Sequence, residues 1–250
     1  MTTNFTSNAS ELPGARFSYI KWLAIIVAGT ALIVAALFLI LPKGDLLYRE
    51  NGILEDASIV FWICSCIVSF AAAIRFPARS SRLISIWTGW ISALAAMREL
   101  DLHIWLNPKK LGAYGVRYRI DWWLDGNVSF WLKLGWATLF VLAFYLTFNA
   151  PLKLRASLFK LLRRGDAFLG AFAAAIVFLM FGFVIDDILR PVQVIPLGTK
   201  QLFEETSEMI GAILFLFAIL LHWRHPLNVR ESSIADTANP TQASRSPQKA

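Results

Sequence analysis

Apolar positions along the chain do not alternate. They gather into six continuous runs, Trp22 to Leu41, Ala57 to Ile74, Leu83 to Met97, Val128 to Phe148, Ala167 to Ile185 and Thr206 to Trp223, with the polar residues collected between them. A helix needs about 20 mostly apolar residues to cross the hydrocarbon core of a bilayer. Membrane-spanning strands would alternate with period two, and none of these runs does. Each run is therefore predicted to be a helix. Pro42, Lys43 and Gly44 are expected to stop the first, Arg75 and Pro77 the second, and Asn149 and Pro151 the fourth. The third is the shortest and is expected to continue to Leu100 or His103. The first is longer than the ~7–15 residues of a signal-peptide apolar region, and no small-x-small cleavage site follows Leu41, so it reads as a retained anchor. The predicted fold class is all-α, a polytopic membrane protein built as a bundle of six transmembrane helices over residues 17–223. Residues 1–16 and 224–250 are rich in Ser, Thr, Asn, Pro and Gln; they are expected to be disordered segments on the cytoplasmic side.

Composition agrees with a membrane setting. Hydrophobic residues make up 57% of the 250 and charged residues 16%, with mean hydropathy +0.56. Soluble chains run at roughly 45–50% apolar and about 25% charged. Too few charges remain to cover a water-exposed domain of this size, so lipid must cover much of it. The formal net charge of +7 suggests a nucleic-acid partner only until it is distributed along the chain. Alternate loops place 14 bases and four acids on one side, and ten bases and 13 acids on the other. The short loops around Arg79 and Lys160 carry most weight under the positive-inside rule. The 14-base side is thus expected in the cytoplasm with both termini, in a plasma membrane, the bacterial inner membrane being the expected location. The excess base orients the chain and implies no nucleic-acid partner.

The other side carries the feature that needs explaining. Glu55 and Asp56 precede the second run, Glu99, Asp101 and His103 follow the third, Asp186 and Asp187 close the fifth, and Glu204, Glu205 and Glu208 open the sixth. Ionisable groups this near hydrocarbon are costly and tend to face a bundle interior and to pair. Glu99 and His103 share a helical face if the third helix continues, as do Glu204 and Glu208.

Three accounts compete. The first is electrostatic: Glu55, Asp56, Glu204 and Glu205 sit at positive helix starts, with Arg49, Arg98, Arg117, Arg119 and Arg190 as counter-ions. The second is a metal site. Carboxylates with an imidazole suit a divalent cation such as Zn, with Glu55, Glu99, His103, Glu204 and Glu208 as candidate ligands and a bound water activated for hydrolysis of a lipid or amphiphile. Candidate catalytic groups are then Glu99, Asp101, Asp187 and Glu208. The third is a proton or cation pathway, which lacks an evident polar line through the membrane middle: the second, fourth and fifth runs are nearly all apolar apart from Ser58, Ser65, Ser69, Thr138 and Thr147. Enzyme, transporter and assembly protein with structural charges all stay open, because no nucleotide loop, nucleophile elbow or zincin motif is present.

The remaining signals are structural. Cys64 and Cys66 project from nearly opposite sides of one helix and read as buried apolar filler. Gly89 with Ala93, and Gly170 with Ala174, are spaced for close helix approach. His222 and His225 read as a solvated interfacial pair. The aromatic and basic stretch from Asp101 to Asn127 is expected to lie at the outer interface or to cover the acids, and Lys133 is expected to snorkel outward.

Overall fold

The computed structural model describes residues 13–41, 45–48, 52–100, 123–163, 165–185 and 196–226. Among these every regular element is helical. In chain order they are α1 (Pro13–Ile40), α2 (Asp45–Tyr48), α3 (Ile53–Arg75), α4 (Arg79–Glu99), α5 (Phe130–Arg163), α6 (Ala167–Phe183) and α7 (Leu197–Arg224). Four helical segments are long and apolar enough to cross a membrane: Tyr19–Ile40, Leu46–Arg75, Phe130–Arg155 and Leu197–Arg224. Six spans were expected. Ala167–Phe183 is apolar but shorter, and α4 is diluted by serine and threonine. Residues 1–12 and 227–250 of the expected terminal segments, and 101–122 of the expected interfacial stretch, lie outside the described residues.

Successive helices run up and down. At one end, hereafter basic, Arg75 closes α3 and Arg79 opens α4; at the other, acidic end, Glu99 closes α4. α7 is the central element, packed on α6 and α3. Trp62, Ala175, Ile210, Leu214 and Phe215 form the heart of the core, with the Trp62 and Phe215 rings 5.1 Å apart. Glycine lets these backbones approach: a Cβ on Gly211 would stand 2.7 Å from Leu179 Cδ2, and one on Gly89 3.1 Å from the Phe70 ring. The approach expected at Gly170 is also observed, against Tyr19.

The boundaries differ from the hydropathy reading wherever polar residues join a helix. α1 begins at Pro13 instead of Trp22, and α4 begins at Arg79 and ends at Glu99, with Leu100 as its cap. The largest correction is Pro151, expected to stop a helix but sitting inside α5. Proline has no N–H, so the carbonyl four residues earlier loses its helical donor. That carbonyl belongs to Thr147, and Trp87 Nε1–H of α4 donates to it at 2.7 Å. A neighbouring helix repairs the break, as membrane bundles commonly do. α5 and α6 are then joined tightly: Gly165 takes the left-handed φ of 72°, and Asp166 caps α6 by accepting from Leu169 N–H at 3.1 Å.

Two further expectations are corrected. Cys64 is exposed on the outer surface of α3 and Cys66 is only half-buried, so neither is core filler. His222 is 1% exposed; it lies inside the bundle between the rings of Phe76 and Phe168, while His225 is exposed. Lys133 does reach out of its helix, donating from Nζ to the Asp125 carbonyl at 2.7 Å.

Candidate functional site

At the acidic end, carboxylates from three helices meet. Glu55 comes from the first turn of α3, Glu99 from the last turn of α4, and Glu204, Glu205 and Glu208 from α7. All five are near enough to interact electrostatically with one another or with Arg98. Arg98 Nη2 donates to Glu208 Oε1 at 2.5 Å and lies 3.9 Å from Glu99 Oε1. The arginine side chain is 62% exposed, whereas those of Glu208 and Glu99 are 6% and 7% exposed. The cation is thus at the rim and its two partners are inside.

The helix-start account covers only part of this arrangement. Glu55 and Asp56 lie in the first turn of α3, where the dipole favours anions. α7, however, begins at Leu197 and not near Thr206. Glu204 and Glu205 are therefore about two turns inside it, beyond the reach of its dipole. Glu99 is at a helix C-terminus, where a carboxylate is disfavoured and the adjacent Arg98 is favoured. Packing places these acids together. Lys200, Glu204 and Glu208 stand at successive i,i+4 positions on one face of α7, and Lys200 and Glu208 are both buried. Gly182 of α6 makes room behind them: a Cβ there would come within 3.1 Å of Glu208 Cγ.

Of the residues singled out by sequence, Glu55, Glu99, Glu204 and Glu208 are brought to one cluster. Asp101, His103, Asp186 and Asp187 lie outside the described residues. Among the described residues no group of three or more His, Cys, Asp or Glu is arranged to hold a metal ion. The cluster's chemistry is that of crowded carboxylates beside one guanidinium: it can hold a cation or share a proton.

A second polar feature went unrecognised in the hydropathy pattern. Ser58, Ser65 and Ser69 of α3 and Ser81, Ser85, Thr88 and Ser92 of α4 are all buried. Most hydroxyls bond their own helix, as Ser85 does to the Ser81 carbonyl at 2.9 Å and Ser92 to that of Thr88 at 2.8 Å. One contact crosses the interface, Thr88 Oγ1 to Ser69 Oγ at 3.1 Å. Given antiparallel helices, that contact sets Ser65, one turn from Ser69, opposite Ser92, one turn from Thr88. Ser65 Oγ is buried without a hydrogen-bond partner. At the basic end the seam reaches His222, whose Nε2 is 3.3 Å from the Ser81 carbonyl. That bond requires the proton on Nε2, which leaves Nδ1 bare and, like Ser65, unpartnered. Trp62, packed on Phe215, lies along α3 between Ser65 and Glu55. The signal in the sequence was present: hydroxyl or alanine side chains recur at 58, 65, 69 and 72, and at 81, 85, 88, 92 and 96, a three-and-four spacing.

No protein-family model, curated protein or solved structure matches this chain.

Proposed function

We propose that the chain is a six-span protein of a bacterial-type plasma membrane, with both termini cytoplasmic, whose outward carboxylate cluster takes up a cation. The distribution of bases supports the orientation. The number of spans is supported by α4, whose 21 residues extend about 31 Å, matching the ~30 Å core of a bilayer. Its modest hydropathy comes from hydroxyls turned toward α3 and hidden from lipid. α6 is short, but Val184 and Ile185 continue it by two helical residues.

One observation carries the cation reading: Glu205 lies within electrostatic reach of Glu55, Glu99, Glu204 and Glu208, and Glu208 is buried at a position no helix dipole serves. Like charges gathered in a poorly solvated place favour a proton or an inorganic cation in their midst. A lipid or amphiphile arriving from the bilayer is the substrate class such a mouth would serve, with Glu99 and Glu208 as acid–base groups. Asp101, Asp187 and His103 belong to the same reading as candidates. A second reading, a proton or cation pathway, is favoured by the hydroxyl seam.

The test is thermal unfolding of the purified protein in lipid nanodiscs, titrated with Na⁺, Mg²⁺, Ca²⁺ and Zn²⁺ in turn. A ligand that binds only the folded state raises the midpoint as its concentration passes its Kd. A rise with one of these cations, abolished by Glu204→Gln with Glu205→Gln, is expected. Identical responses of the parent and this variant to all four would refute cation uptake and leave the charges a structural role.

A further inference from the structure

At the basic end, α4 and α5 line a cleft of about 630 Å³. Its rim carries Arg79, Arg82 and Lys153, and its body is formed by Leu83, Ile86 and Leu154. Among the described residues no carboxylate lines it. Arg79, Arg82, Ile86 and Lys153 are exposed and Leu83 and Leu154 half-buried, so the cations and part of the apolar wall are accessible from outside. Arg82 is held in place, its Nε–H donating to the Phe76 carbonyl at 3.2 Å across the turn between α3 and α4. Ala78, the residue just before α4, has no side chain with which to cap the first turn. The positive end of a 21-residue helix is therefore left without a side-chain cap at the same cleft, which Ala78 and Arg79 line.

A free anion would need only the rim. A neutral lipid would need only the wall. The cleft offers both, with the cations where a headgroup sits and the apolar wall where an acyl chain runs. Basic pockets between helices at a membrane boundary suit acidic headgroups. We infer that this cleft is a binding site for an anionic phospholipid, its phosphate between Arg79, Arg82 and Lys153 and one acyl chain along Leu83, Ile86 and Leu154. The site is at the opposite end of the bundle from the carboxylates and stands independently of the cation reading. A phospholipid seated there would also hold α5 to α4 close to the Trp87–Thr147 bond, where α5 has few other attachments.

Native mass spectrometry of the delipidated protein tests the inference. Phosphatidylglycerol, phosphatidylcholine of the same acyl chains, and soluble glycerol phosphate are titrated separately. The variants are Arg79→Gln with Lys153→Gln, which leaves Arg82 and its turn intact, and Ile86→Trp, which fills the apolar wall and keeps every charge. The expected result is preferential retention of phosphatidylglycerol. Each charge removed should weaken it about fivefold, so roughly thirtyfold for the double variant, with phosphatidylcholine unchanged. Ile86→Trp should also weaken phosphatidylglycerol. Equal retention of the two lipids, unaltered retention in the double variant, or displacement of the lipid by glycerol phosphate at equal concentration would each overturn the proposal. A circular dichroism spectrum equal to the parent's excludes misfolding as the cause of any loss.

Discussion

Neutralising Arg98 should destabilise the bundle more than neutralising its partner Glu208, although both changes break the same hydrogen bond. In Arg98→Gln the carboxylate stays behind, 6% exposed, without its cation. A charge-assisted hydrogen bond of this kind contributes about 1.5–3 kcal/mol. Because the guanidinium is 62% exposed, solvent screens its field on Glu99 and Glu204 to tenths of a kcal/mol each. The expected cost is therefore about 2 kcal/mol. Glu208→Gln loses the same ionic bond but also removes one charge from the crowd of carboxylates. Like charges about 6 Å apart repel by about 3 kcal/mol at an effective dielectric of 20, and by only tenths on an exposed helix surface. A half-buried cluster lies between these limits, so the relief offsets roughly half the loss and leaves a net cost near ~1 kcal/mol. With both changes made, the coupling should be about 1–2 kcal/mol, well above the ~0.5 kcal/mol expected of independent sites. The assay is equilibrium unfolding in mixed micelles, with the four proteins compared at low and high salt. Equal costs for the two single variants together with additivity would refute the reasoning, for they would mean that the other carboxylates do not feel Glu208.

Three further outcomes follow from packing. Trp87→Phe should cost about 1–3 kcal/mol by leaving the Thr147 carbonyl without a donor, and much less in a Pro151→Ala background, where residue 151 supplies its own N–H; comparison of unfolding midpoints in the two backgrounds checks this. Ser65→Ala should be neutral or stabilising because the lost hydroxyl has no partner, whereas Thr88→Val should cost about 0.6 kcal/mol, an average interhelical bond in a membrane; the same unfolding series separates them. Gly211→Ala places a methyl against Leu179 and should cost about 1–3 kcal/mol by overpacking, measured as a lowered midpoint with unchanged helix content.

Hydropathy located the helices because burial in lipid and burial in protein demand the same apolar residues. It misjudged their ends for the same reason: Pro13 to Lys21 and Leu197 to Glu205 are helical yet too polar to enter an apolar window. Pro151 could not be read as a helix interior, since the donor that compensates it, Trp87, is on another helix. The carboxylate cluster was legible in part. Gathering Glu55, Glu99, Glu204 and Glu208 on one side follows from counting turns of the chain across a membrane, whereas the choice of Arg98 over Arg49 or Arg190 as the partner of Glu208 depends on packing. The assignment of Glu204 and Glu205 to a helix start failed with the boundary on which it rested. In the sequence His222 reads as solvated because its neighbours Trp223 and His225 look interfacial; its burial depends on Phe76 and Phe168, remote in sequence and adjacent only after α3, α6 and α7 have packed.

The two polar features of the bundle differ in when they can form. The hydroxyl seam joins α3 to α4, consecutive helices with a turn of three residues between them, so it can close as soon as that hairpin exists. The carboxylate cluster needs Arg98 and Glu208, separated by 110 residues, and cannot be neutralised until α7 arrives. During synthesis, which runs from the N-terminus at about 5–20 residues per second, Arg98 therefore waits several seconds for its partner. The helical hairpin is a early product of assembly and the acidic end a late one, so a chain shortened before α7 should retain the first and lack the second.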